Sequence, residues 1–148
     1  MIDLSKLEKY INDISIETKK IHKELKSENA AILDDPDRIG SLKYSVIVIA
    51  EAIAHTLHHI LAKEHKISAS GYKEVLIKSR EYQLISSELS NNLQPFINFR
   101  NMLVHHYWKV DDALFLKNLR DGLEDFQNFV STIKTYMQDI SQKSSDSE

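Results

Sequence analysis

Leu116-Lys117-Asn118-Leu119-Arg120-Asp121-Gly122-Leu123-Glu124-Asp125-Phe126-Gln127-Asn128-Phe129-Val130-Ser131-Thr132-Ile133-Lys134-Thr135-Tyr136-Met137-Gln138-Asp139-Ile140 decides the fold class. Its apolar residues Leu116, Leu119, Leu123, Phe126, Val130, Ile133, Met137 and Ile140 recur in steps of three and four. Side chains so spaced share one face of a helix, because each residue turns the chain by about 100°. Asp111 or Asp112 is the expected N-cap, since a short carboxylate can accept from the first free N–H groups of a helix. Beyond Ile140 the chain turns polar, so residues 141–148 read as a frayed, disordered tail and residues 1–140 as one domain.

The same period recurs upstream. Leu4, Leu7, Ile11, Ile14, Thr18, Ile21 and Leu25 form a first stripe. Asp34-Asp35-Pro36 then reads as a helix start, with Asp35 as N-cap and Pro36 at the first helical position. The helix that follows carries Leu42, Val46, Ile49, Ile53, Leu57 and Ile60 inward and ends near Lys66. A short helix is expected over Tyr72 to Lys78, after Ser70-Gly71. Another is expected from about Ser79, carrying Leu84, Ile85, Leu89 and Leu93, with a kink or break at Asn91 to Gln94 forced by Pro95. The expectation is an all-α, up-and-down helical bundle of four long helices plus a short one.

Composition agrees. The chain has 148 residues, is 42% hydrophobic and holds only three glycines and two prolines, which disfavours a many-stranded β fold. It has no cysteine, which removes disulfides and thiolate metal sites and fits a cytoplasmic location. Charge interrupts the apolar residues of the N-terminus at once, unlike a secretory signal. The longest apolar run, Val46 to Ala50, is too short to span a membrane. The net charge is −3 and the sequence pI about 6.2, so any contact with RNA must be a local cleft rather than a basic surface.

Just beyond Pro95 stands Arg100-Asn101-Met102-Leu103-Val104-His105-His106-Tyr107. Arginine offers a permanent planar fork that matches phosphate oxygens, and histidine is the side chain that most readily gives or takes a proton near neutrality. The set suits transesterification of RNA. A base takes the 2′-hydroxyl proton, the oxygen attacks the adjacent phosphorus, and a cation stabilises the growing charge. No carboxylate cluster accompanies the motif, so this chemistry needs no metal and no cofactor. Arg100 and Tyr107 share a helix face two turns apart, and Asn101 and His105 share one a turn apart. Arg100 and His105 diverge by roughly 140° on a straight helix. Either the helix loosens here or a second subunit supplies one of them. The plain alternative is that Leu103 and Val104 are core and Arg100 is a solvated surface residue.

The string Phe99-Arg100-Asn101-Met102-Leu103-Val104-His105-His106-Tyr107-Trp108-Lys109-Val110-Asp111 resembles the signature of the HepT-like branch of the HEPN superfamily: Arg, Asn, a variable residue, two aliphatics, His, a variable residue, Tyr, and Asp a few places on. The resemblance extends to Tyr72-Lys73-Glu74-Val75-Leu76 and to the Leu89–Leu93 approach. Departures lie outside the motif, at Gly71 and Pro95. The resemblance implies a HEPN-like bundle that is a metal-independent endoribonuclease toxin, dimeric, with the two motifs meeting at the interface. It implies neutralisation by a small MNT-type nucleotidyltransferase antitoxin that can transfer AMP to the motif tyrosine. Arg100 and His105 become catalytic, Asn101 supporting, and Tyr107 the modification site. The other reading is a HEPN module without useful nuclease activity, serving as substrate or scaffold for the nucleotidyltransferase.

Other residues are weighed against ordinary roles. His55 and His59 have the i,i+4 spacing of a metal pair, but no third ligand stands where a zinc helix needs one. They read as partly buried bundle residues. His106 occupies the variable position and is assigned to solvent or the cleft rim. Trp108 reads as a core or interface anchor before a base-stacking surface. The Lys19-Lys20 pair and Lys63 to Lys66 read as solvated faces. Glu51 is an acidic residue on the second long helix that could orient Arg100.

Overall fold

The computed structural model describes residues 1–106 and 110–146, with His106 described by its backbone alone. Among the described residues there are six helices and no strand: α1 (Leu4–Glu24), α2 (Asn29–Leu33), α3 (Pro36–His65), α4 (Tyr72–Glu81), α5 (Ser87–His106) and α6 (Asp112–Asp146). The all-α bundle expected from the apolar stripes is the observed architecture.

Helix starts follow the capping chemistry. Asp3 accepts from the Lys6 N–H at 3.1 Å to start α1. Asp35 accepts from Asp37 and Arg38 N–H groups, with Pro36 at the first position of α3. Asp111 accepts from the Leu114 N–H at 3.1 Å to start α6, so the motif's final aspartate has a structural role of its own. Leu116, Leu119, Phe126, Val130 and Ile133 on α6 and Leu7, Ile11, Ile14 and Ile21 on α1 are buried in one core.

The centre of that core is α3, which packs against α1, α2, α4, α5 and α6. By length and composition α3 is apolar enough to cross a membrane, a property that the short Val46–Ala50 run understates. Most of that apolar stretch is buried inside the bundle.

The middle of the chain differs from expectation. α4 runs on to Glu81, and α5 starts at Ser87 rather than near Ser79. The stop is a Schellman-type turn. Gln83 takes φ +59° and the Leu84 N–H donates to the Ser79 carbonyl at 2.8 Å, after which Ser86 Oγ accepts from the Leu89 N–H. Glycine normally marks such a turn, and a glutamine there hides it. α2 also went unread, because one turn is too short to show a period. Its Ile32 is nonetheless fully buried.

α5 continues through Pro95 without the expected break. Proline removes one backbone donor, but Leu93, Phe96 and Ile97 are buried around it and hold the helix to the core, while Pro95 itself is exposed. α6 extends to Asp146, past the boundary drawn at residue 140, with residues 141–146 exposed.

α5 and α6 approach closely at Gly122, where an added Cβ would lie 2.7 Å from the Phe96 ring, itself edge-on to Phe126. Because that ring is wedged in the core, Gly122→Ala is expected to destabilise the fold by about 1–3 kcal/mol. Urea unfolding of the two proteins checks this, and an unchanged midpoint would contradict the packing described.

Candidate active site

Arg100 lies near the C-terminal end of α5, and its side chain is only 17% exposed. Its Nε and Nη2 donate to Glu51 Oε1 on α3, both at 3.3 Å, and its Nη1 donates to Asn101 Oδ1 at 3.3 Å. Its Cζ sits 4.1 Å from the centroid of the Tyr72 ring on α4, a cation–π contact. Three helices therefore hold one guanidinium. Of its five N–H donors, three are engaged by described residues.

The reading of Arg100 as a solvated residue is thus set aside. So is the assignment of Val104 to the core: Met102 and Val104 are 41% and 51% exposed, and Leu103 is half-buried. Glu51 is the acidic partner on the second long helix. Tyr72 carried no signal for this contact, since cation–π geometry across helices leaves no sequence period.

His105 is exposed on the same helix. α5 is regular from Arg100 to His106, so no loosening occurs in that segment to bring the two side chains together. Five residues of regular helix separate them by roughly 140°. Asn101 is half-buried and accepts from Arg100 through its Oδ1. Tyr107 and Trp108 lie outside the described residues, as does the side chain of His106.

The histidines of α3 have distinct surroundings. His59 Nε2 accepts the Asp3 N–H at 3.0 Å, tying the start of α1 to α3. His55 is exposed, with its ring 5.7 Å from that of Tyr10 and 6.4 Å from that of Tyr72. With one His59 nitrogen so engaged, the pair does not form a ready metal site, and among the described residues no three His, Cys, Asp or Glu side chains cluster for an ion. Lys20 pairs with Glu17 at 3.2 Å, and Lys19 and Lys63 to Lys66 include no buried charge.

The sequence pattern of the family described as Ribonuclease HepT-like matches residues 4–133. The chain belongs to the HepT-like ribonuclease family. It is 27% identical over 90 residues to a tRNA nuclease HepT of Aphanizomenon flos-aquae, covering 61% of each chain. It is 26% identical over 84 residues to an mRNA nuclease HepT of Shewanella oneidensis, covering 57% of this chain and 63% of the relative. The chain thus spans about three-fifths of the length of the curated relatives it matches. In fold it is similar to a solved tri-AMPylated Shewanella oneidensis HEPN toxin in complex with MNT antitoxin, with TM-score 0.81 and 22% identity over 91% of this chain and 99% of that one. The HepT-like bundle is therefore the fold on which Arg100, Glu51 and Tyr72 are assembled.

Burial lowers the pKa of His59 below 6.5, aided by the charges of Lys6 and Lys63 and opposed by Asp3. A lowered pKa means the unfolded state binds more protons as the pH drops, so the stability from neutral His59 is present above about 6.5 and lost on acidification. Chemical unfolding is expected to show stability falling from about pH 8 to about pH 5. His59→Gln, whose amide oxygen can accept the Asp3 N–H without titrating, should flatten that slope. An equal slope in both proteins would remove His59 as the cause.

Proposed function

We propose that this HepT-like chain is a metal-independent endoribonuclease, the toxin of a toxin–antitoxin pair in the cytoplasm. His105 acts as general base on the ribose 2′-hydroxyl. The freed oxygen attacks the adjacent phosphorus, the bond to the 5′-oxygen breaks, and that oxygen takes up a proton, leaving a 2′,3′-cyclic phosphate. Arg100 meets the charge on the phosphoryl oxygens through its Nη1/Nη2 edge, and Asn101 supports it.

The observation that carries the proposal is the clamp on Arg100. A guanidinium fixed by Glu51 and Tyr72 meets a developing charge without reorganising, which is where electrostatic catalysis gains most. The family match and the nuclease relatives support the reaction class. Because Arg100 and His105 diverge on an unbroken helix, the active form is a homodimer in which each centre takes Arg100 from one protomer and His105 from its partner. The exposed Met102 and Val104 flank His105 and suit burial against that partner.

Neutralisation is proposed to come from an MNT-type nucleotidyltransferase antitoxin that transfers AMP to Tyr107, in keeping with the AMPylated toxin complex that shares this fold. A phosphate attached seven residues from Arg100 would compete for its guanidinium and exclude RNA by charge and bulk.

His105→Ala should cost about 10²–10⁴-fold in cleavage rate. Cleavage by the native chain should persist in EDTA and leave 2′,3′-cyclic ends, read by phosphatase-coupled gel shifts. Chelator-dependent activity, or a fully active His105→Ala protein, would sink the proposal.

Co-expression with the nucleotidyltransferase should add AMP to Tyr107, seen by intact-mass and peptide analysis. Tyr107→Phe should escape this neutralisation. Equal neutralisation of Tyr107→Phe would point instead to inhibition by simple complex formation.

A further inference from the structure

The face of α3 that fixes Arg100 continues beyond it. Glu51 and His55 are four residues apart and so lie one above the other on that helix. Tyr72 joins the two positions, since its ring contacts the Arg100 guanidinium at 4.1 Å and the His55 ring at 6.4 Å between centroids. The His55 ring also meets that of Tyr10 of α1, with centroids 5.7 Å apart. Four helices thus contribute to a continuous row of side chains, Tyr10, His55, Tyr72 and Arg100.

The burial pattern divides this row by task. Tyr10 and Tyr72 are half-buried and packed against the core, so their rings are held in place. His55 is exposed between them, so its ring adds little to the core yet has its orientation set by two tilted neighbours. Its helical neighbour His59 has Nε2 occupied by Asp3, which argues against a metal as the reason for His55. An exposed ring held steady beside a phosphate-receiving arginine has the properties of a base-stacking surface. Such surfaces accept any nucleobase, because every base has a π-face, and they act on single strands, whose bases can be splayed outward.

We infer that His55, framed by Tyr10 and Tyr72, is the stacking platform for a nucleobase within about one or two nucleotides of the phosphate received by Arg100. The inference rests on the endoribonuclease reading for its orientation of the substrate. His55 is a positioning residue. It binds the strand and leaves the chemistry to other groups.

The test uses the full chain and a single-stranded 2′-O-methyl oligoribonucleotide containing 2-aminopurine, which cannot be cleaved because its 2′-oxygens are blocked. The native protein should bind it and change the 2-aminopurine fluorescence through stacking. His55→Ala should bind about 5–100-fold more weakly and lose that signal, while His55→Phe, which keeps a ring, should retain both. With cleavable RNA, His55→Ala should raise KM far more than it lowers kcat, at an unchanged thermal midpoint. Native-like affinity and fluorescence change in His55→Ala would overturn the inference, as would failure of the native chain to bind the oligonucleotide. A ring-dependent fluorescence change in a chain that cleaves no RNA would keep the platform and remove the nuclease reading. Cleavage that needs His105 but ignores His55 would do the reverse.

Discussion

A guanidinium largely withdrawn from water has to be matched by nearby acceptors and charge, and that requirement organises the corner where α3, α4 and α5 meet. Arg100 meets it with the Glu51 carboxylate, the Asn101 amide oxygen and the face of Tyr72. Glu51 is carried by α3, against which every other helix packs, α4 with Tyr72 and α5 with Arg100 and Asn101 among them. The Glu51 side chain is half-buried at 37% exposure and reaches from α3 to the Arg100 guanidinium. The corner is thus a product of the core, and its positive group is oriented before any substrate arrives.

The regularity of α5 carries a second constraint. A helix that stays helical through Pro95 and on to His106 cannot aim residues five apart at one point. The proposed dimer answers that constraint by supplying the two side chains of one centre from two protomers. Met102 and Val104 are exposed beside His105, where the proposed dimer would cover them. The proposed reaction would draw on both sides of the same helix, with Arg100 held inward and His105 exposed outward.

Much of this was legible in the sequence for physical reasons. Stripes such as Leu116 to Ile140 persist for many turns, and Asp35-Pro36 and Asp111 announce their helices through side chains that cap. The family was legible in the string from Phe99 to Asp111 as a whole, because an Arg and a His five apart on a helix are common and only the full pattern is distinctive. Other features left weaker marks. The turn at Gln83 lacked a glycine, α2 is shorter than any period, and Pro95 promised a break that buried neighbours override. The partners of Arg100 on other helices are set by packing between segments far apart in the chain: Glu51 is legible as an acid on the right helix, whereas the contacts of Tyr72 with Arg100 and with His55 arise only from the way α4 packs against α3 and α5. The extension of α6 to Asp146 has no apolar period to reveal it.

The central claim is that Arg100 and His105 work together across a dimer. Subunit complementation tests it most directly, by mixing purified Arg100→Ala and His105→Ala chains under conditions that exchange protomers and measuring RNA cleavage. In a two-fold dimer the mixed species carries one intact composite centre, so the mixture should recover up to about a quarter of native activity, although each variant alone is nearly inactive. A mixture no more active than the two variants separately, from a sample shown to contain the mixed dimer, would contradict the account.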